Sequence, residues 1–282
     1  MPDYMDMHMH TTASDGMTAP EELLRIVRES GVSAFAVTDH DTFAGSAEVR
    51  DLLGEDDPEL ITGVELSAGE PGEDLHLLVY LFDTPRVEAS SQLAKAIAEF
   101  HRRRDSRGEA IVELLRSKGL EISLEDVKAT ADGSPVGRPH VADALVKNGA
   151  VKSYEEAFRT WLGYGCPGYV EKENIRPAEA VMLAHDSGGI IILAHPAINN
   201  AENEIERLVG YGLDGLEVWH PSINPSQRKR YRKLAGQYDL VISGGSDYHG
   251  REDSHGQVGQ LKAPHENLAL MKERARRYSQ AS

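Results

Sequence analysis

Seven of the twelve histidines in this 282-residue chain stand where an apolar run meets a turn: His8, His10, His40, His76, His195, His220 and His249. An imidazole at such a place can ligate a divalent metal or carry a proton near neutral pH. His8 and His10 are two residues apart, so on an extended strand both point to one face. Alone, that pair reads equally well as two surface histidines near a chain end. The carboxylates Asp15, Glu65 and Asp247 tip the balance, because imidazoles and carboxylates together make hydrolytic clusters of Zn, Mn or Fe. The nine candidate ligands His8, His10, Asp15, His40, Glu65, His76, His195, Asp247 and His249 are too many for one tetrahedral ion. They suit two or three divalent ions.

Residues so far apart in sequence must be gathered by strands. Seven apolar segments read as strands: Tyr4 to His8, Ser33 to Thr38, Leu60 to Leu66, Leu75 to Phe82, Gly189 to Ala194, Asp214 to Trp219 and Leu240 to Gly244. Between them run helical patterns at Thr18 to Ser30, with Thr18 as its cap, at Pro177 to Asp186, at Glu202 to Tyr211 and at Ser226 to Tyr238. A last helix covers Asn267 to Tyr278. The alternation predicts an α/β fold of barrel type, in which functional residues collect at the strand C-termini. The third and fourth strands are joined by too few residues for a parallel crossover, so they form an antiparallel hairpin that brings Glu65 to His76.

From residue 84 to 172 the pattern is helical throughout. A stripe at Leu93, Ile97, Phe100, Ile111, Leu114 and Leu115 marks a long helix, with Gly108 as a kink or break. Shorter helices follow at Ser123 to Ala131, Pro139 to Asn148 and Ser153 to Leu162. The expected organisation is a barrel in two parts, 1 to 83 and 173 to 282, around this helical insertion.

Composition sets further bounds. With 40% hydrophobic residues the chain buries a core without staples, and its single cysteine, Cys166, excludes a disulfide framework or a Cys-rich zinc site. No basic region precedes an apolar stretch, and no run approaches the roughly 18 apolar residues of a membrane helix. We expect a cytoplasmic protein without a membrane partner. A net charge of -16 opposes stable DNA binding, so an anionic substrate needs a locally positive pocket.

The blocks DMHMHTTASDG at 6 to 16, TDHDT at 38 to 42, GVELS at 63 to 67, DLHLLVY at 74 to 80, AHP at 194 to 196 and SDYHG at 246 to 250 together resemble the PHP (polymerase and histidinol phosphatase) superfamily of metal-dependent phosphoesterases. The resemblance implies a distorted seven-stranded (β/α) barrel holding a trinuclear cluster. It implies that His8, His10, Glu65 and Asp247 hold one metal, that Glu65 bridges to a second held by His76 and His195, and that Asp15, His40 and His249 hold the third. Three divalent ions outweigh the three carboxylates and supply the positive pocket. Asp6 is expected to orient a ligating imidazole. His220, from position alone, is expected to contact the scissile phosphate or protonate the leaving oxygen.

Within the insertion, Val136 to His140 opens a helix, where Arg138, His140 and the helix N-terminus offer donors to a phosphate. The competing reading is a capped turn. Arg103 and Arg107, in the run Arg102 to Arg107, are either substrate contacts or a solvated helix face, and Lys172 is a weaker candidate. GRPHVADALV, EEAF at 155 to 158 and GYVEK at 168 to 172 resemble the subgroup of 3',5'-nucleoside bisphosphate phosphatases and RNase AM-type 5'-to-3' exoribonucleases. That implies a small nucleotide or short RNA substrate, with Arg138 and His140 on its 5'-phosphate. A histidinol-phosphate phosphatase and a non-catalytic metal-binding regulatory module are the alternatives.

Overall fold

The structure, a computed structural model, describes residues 4–70, 72–83, 87, 91–131, 136–171, 174–251 and 256–279, with residues 101 and 104 described by backbone alone. It divides into two compact units, Met1–Ala96 with Asn174–Ser282, and Ile97–Glu173.

The first unit is built on one eight-stranded sheet. Its strands are β1 (Tyr4–Asp6), β2 (Ala34–Val37), β3 (Glu59–Ala68), β4 (Leu75–Leu81), β5 (Ile190–Leu193), β6 (Gly215–Trp219), β7 (Val241–Gly244) and β8 (Ala263–Pro264). Their order is β7-β6-β5-β4-β3-β2-β1-β8. β2, β5 and β6 are buried along their whole length, as expected of strands covered on both faces. The β3–β4 pair is antiparallel, as its short connection requires, and β4 is also antiparallel to β5. Past Asp6 the chain turns towards the end of β7: Met7 N–H donates to Gly244 O at 3.0 Å, Asp247 N–H to His8 O at 2.8 Å and His10 N–H to Tyr248 O at 2.8 Å. These bonds nearly close the sheet into a barrel and bring the ends of β1 and β7 together at the His8–His10 stretch.

Helices α1 (Pro20–Ser30), α2 (Ala44–Asp51), α7 (Pro177–Asp186), α8 (Ile205–Tyr211), α9 (Pro225–Gln237) and α10 (Glu266–Ser279) belong to this unit. Leu23, Leu24 and Val27 of α1 pack with Met9, Phe35, Val37 and Tyr248 in the core. Three sequence expectations change. The eighth strand leaves no mark in the sequence, because two residues, one of them proline, carry no periodicity. α2 went unread because its buried side is Gly45, Ser46 and Val49 rather than an apolar stripe. Thr18 does not cap α1; the cap is Ala19, with no side-chain bond, and Thr18 Oγ1 instead meets the Tyr248 hydroxyl at 3.2 Å.

The long helix α3 (Gln92–Ser117) enters the second unit, which continues through α4 (Leu124–Ala131), α5 (Arg138–Lys147), α6 (Tyr154–Ala157) and a π-helical turn at Phe158–Leu162. Ile111, Leu115, Val127, Val141, Leu145 and Leu162 form its own core. Gly108 does not break α3. A Cβ there would lie 2.4 Å from Val136, so the glycine admits a close approach. Among the described residues no helix is long and apolar enough to cross a membrane.

Candidate metal centre

The barrel end gathers all nine candidate ligands and His220. His8 and His10 lie on the stretch that bridges β1 and β7, with Asp15 in the loop after it. His40 follows β2, Glu65 lies within β3, His76 within β4, His195 and His220 follow β5 and β6, and Asp247 and His249 follow β7. Glu65 stands at the middle. Its Oε2 is 3.1 Å from His8 Nε2, 3.2 Å from His10 Nε2 and 3.3 Å from His40 Nδ1, while Oε1 is 3.0 Å from His76 Nδ1 and 3.1 Å from His195 Nε2. Asp247 Oδ1 lies 3.4 Å from His8 Nε2 and 3.3 Å from His10 Nε2. Asp15 is 3.4 Å from His249 Nε2 and 3.7 Å from His40 Nε2.

Among the described residues, ligand atoms close enough to share an ion fall into four overlapping sets: His10, Asp15, His40 and His249; His8, His220 and Asp247; His8, His10 and Glu65; and His40, Glu65 and His76. His10 Nδ1 and His40 Nδ1 are buried without a hydrogen-bond partner. Buried polar nitrogens of that kind, next to carboxylates, are what a divalent ion satisfies, so the donor set fits such ions.

The electrostatics agree. Burial by itself raises a carboxyl's pKa, yet His40, His8 and His76 hold Glu65 well below the carboxylate range, and His8 and His249 do the same for Asp247. For His10, burial works downward, but hydrogen bonds to Asp247 and Glu65 push it up to about 10. The buried carboxylates demand positive charge beside them. The backbone is bent to serve this arrangement: His195 and Asp247 adopt left-handed φ values of 26° and 52°.

Supporting groups fix which nitrogen each ring presents. His8 Nδ1–H donates to Glu217 Oε1 at 3.0 Å, and His249 Nδ1–H donates to the Asp247 carbonyl at 2.9 Å, so both turn Nε2 to the cluster. His220 Nδ1 accepts the Ser222 N–H at 3.1 Å, which places the proton of its neutral form on Nε2, 3.2 Å from Asp247 Oδ2. It is therefore built as a donor, although it also lies close enough to share an ion with His8 and Asp247.

Two supporting carboxylates were not picked out from sequence. Glu217 is fully buried in the middle of β6 and also accepts the His195 N–H at 2.7 Å. A charge inside an otherwise apolar strand was the available signal, since such a residue is buried only when paired. Asp39 accepts from Thr11 N–H, Thr11 Oγ1 and Ser14 Oγ, each at 2.7 Å, and so holds the loop that carries Asp15. Asp6 departs from expectation. It hydrogen-bonds to no imidazole among the described residues and instead accepts the N–H groups of Ser246 at 2.8 Å and Gly259 at 3.0 Å, anchoring the segment before Asp247.

In the second unit, His140 is buried and its Nδ1 accepts the Gly137 N–H at 3.2 Å. That is the capped-turn arrangement, and it uses one N–H expected to serve a phosphate. The Arg138 guanidinium stands 5.9 Å from the Phe158 ring centroid. Arg103 pairs with Glu99 at 3.0 Å, and Arg107 Nε–H donates to Val170 O at 2.9 Å. Lys172 lies outside the described residues.

Comparison with known proteins places these observations in a family. The PHP domain matches residues 6–190. A 5'-3' exoribonuclease of Haemophilus influenzae is 36% identical over 251 residues, covering 86% of this chain and 89% of its own. A 3',5'-nucleoside bisphosphate phosphatase of Chromobacterium violaceum is 28% identical over 261 residues, covering 90% of each. Among solved structures, a protein of Bifidobacterium adolescentis described as a metal-dependent phosphoesterase superposes with a TM-score of 0.85 at 30% identity, covering 96% of both chains.

Proposed function

The chain belongs to the PHP domain family, and from that premise we propose that it is a phosphoesterase that hydrolyses nucleotide phosphoesters with activated water: the 3'-phosphate of a nucleoside 3',5'-bisphosphate, or linkages at the 5' end of short RNA. The observation that carries this reading is Glu65, whose two carboxylate oxygens each face a different set of imidazoles across 3.0 to 3.3 Å. A carboxylate so placed would be able to serve two neighbouring ion sites.

Two or three divalent ions, of Mn, Zn or Fe, are the proposed cofactor, held by His8, His10, Asp15, His40, Glu65, His76, His195, Asp247 and His249. When bound they supply Lewis acidity and offset the charge of a phosphoryl group. The chain's own residues do the rest. Glu217 and the Asp247 carbonyl keep the His8 and His249 rings in register. His220, with its hydrogen on Nε2, would donate a hydrogen bond to the leaving oxygen as the ester bond breaks, and the attacking water supplies the proton which that oxygen takes up. Asp39 keeps the Asp15 loop in place. Arg138 and His140 are proposed to hold the substrate's second phosphate, with Arg138 as the charged donor.

A panel assay tests this. Purified protein with Mn is given adenosine 3',5'-bisphosphate, mononucleotides, 5'-phosphorylated oligoribonucleotides and histidinol phosphate. Release from the bisphosphate or the RNA is expected. Hydrolysis of histidinol phosphate alone would overturn the substrate assignment, and no metal-dependent release from any of them would make the protein a binding module.

A further inference from the structure

The unit Ile97–Glu173 carries a feature that phosphoester hydrolysis leaves unexplained. A cavity of about 350 Å³ is lined by Glu99, Arg102, Arg103, Ser106, Arg107, Val170 and Glu171. Three arginines and two glutamates line it, in a chain whose net charge is -16. Glu99 is shared by Arg102 and Arg103, so one carboxylate serves two cations. Arg107 ties the cavity to the next segment by donating to Val170 O.

One residue before Val170 stands Tyr169, whose ring meets that of Tyr164 edge to face, with centroids 5.3 Å apart and planes at 69°. Tyr164 is 80% exposed, the most exposed of the large hydrophobic side chains among the described residues. One exposed aromatic ring is ordinary on a protein surface, but two rings held edge to face on one loop present a shared aromatic surface. The loop that presents the pair is firmly built. Gly163 N–H donates to Phe158 O, Cys166 N–H to Gly163 O, Gly168 N–H to Trp161 O and Tyr169 N–H to Cys166 O, all within 2.8 to 3.0 Å. Gly168 has no room for a side chain, since a Cβ would lie 2.4 Å from Leu115 and 2.9 Å from Trp161 O.

We propose that the Tyr164–Tyr169 pair and the adjoining Arg102–Arg103–Arg107 cavity form a binding subsite for single-stranded RNA, with a base stacked on the tyrosines and backbone phosphate seated among the arginines. Stacking accepts any base because every base has a π face, and arginines beside an aromatic platform are how single strands are held without sequence preference. The proposal rests on the nucleotide reading above and adds to it the place where the nucleotides of a short RNA beyond its 5' end are held. It accounts for both features at once, since a free small phosphate needs no exposed aromatic pair.

The test uses the full-length protein and a fluorescently labelled hexauridylate, with binding followed by anisotropy in a chelator that prevents cleavage. Wild type is expected to bind the hexamer more tightly than the dinucleotide. Tyr164→Ala is expected to weaken hexamer binding on the order of tenfold. Arg102→Ala with Arg103→Ala is expected to flatten the dependence of log affinity on log salt by roughly 0.7 for each phosphate that is no longer neutralised. In parallel, the ratio of kcat/KM on the hexamer to that on adenosine 3',5'-bisphosphate, measured with Mn, is expected to fall in Tyr164→Ala. Equal hexamer binding by wild type and Tyr164→Ala, or an unchanged salt slope in the arginine variant, overturns the subsite. If wild type hydrolyses the bisphosphate but shows no gain in binding with RNA length, the subsite fails and the nucleotide reading stands. If it hydrolyses neither substrate, the nucleotide reading itself fails.

Discussion

His8 and Glu217 form a fully buried pair: His8 Nδ1–H donates to Glu217 Oε1 at 3.0 Å, while Glu217 Oε2 accepts the His195 backbone N–H at 2.7 Å. One carboxylate thus aims a side chain just past β1 and the backbone just past β5. Burial alone would raise Glu217, but the charge of His8 beside it and the hydrogen bond from that ring hold it below its ordinary value.

Glu217→Gln is the sharpest probe of that pair. A glutamine has one acceptor oxygen, so serving His8 turns its NH2 towards the His195 N–H, two donors facing each other. Metal affinity is expected to drop by roughly 10- to 100-fold, the usual cost of losing a carboxylate behind a ligating histidine. Titration calorimetry with Mn measures it, and wild-type affinity in this variant would show that the pair does not orient the site.

Gly245 tests how the barrel closes. A Cβ at this position would lie 2.4 Å from His8 N and 2.4 Å from His8 Cβ, so Gly245→Ala must push the β7 end away from the His8 backbone. A loss of about 1 to 3 kcal/mol is expected, the range for overpacking a tight contact, read from denaturant unfolding. Metal affinity should fall with it, because His8 and Asp247 share that seam.

Metal binding should depend on pH further into the alkaline range than an ordinary histidine allows. His10 is pushed up to about 10 through its bonds to Asp247 and Glu65, so the metal-free protein carries a proton there at neutral pH. A metal needs the neutral ring and must displace that proton. Affinity is therefore expected to fall as pH falls below about 10, by roughly tenfold per pH unit for each proton released. Calorimetry in buffers of different ionisation enthalpy counts the protons; constant affinity between pH 7 and 9 would contradict the assignment.

Arg138→Ala should raise KM for a 5'-phosphorylated substrate by about tenfold, the scale of one lost charge-assisted hydrogen bond, with a smaller change in kcat. Steady-state kinetics on adenosine 3',5'-bisphosphate decides it, and unchanged parameters would remove Arg138 from the substrate site.

Much of this protein can be read from its sequence, because the chemistry sits at strand boundaries. Strand and helix periods mark where each run ends, and the residue types there, His8 and His10 with Glu65 and Asp247, already form a ligand set. The β3–β4 hairpin followed from loop length alone, and with it the meeting of Glu65 and His76. Tertiary structure decided what periodicity does not encode. Hydrogen bonds between residues distant in sequence choose the ring nitrogen, so only the fold could show that Glu217 and not Asp6 stands behind His8, or that Ser222 puts the proton of His220 on Nε2. Likewise the two-residue β8 and the polar-faced α2 arise from packing across the chain. Local pattern determines which elements form and which residues stand at their ends; the directions those side chains take are settled by partners that the sequence places far away.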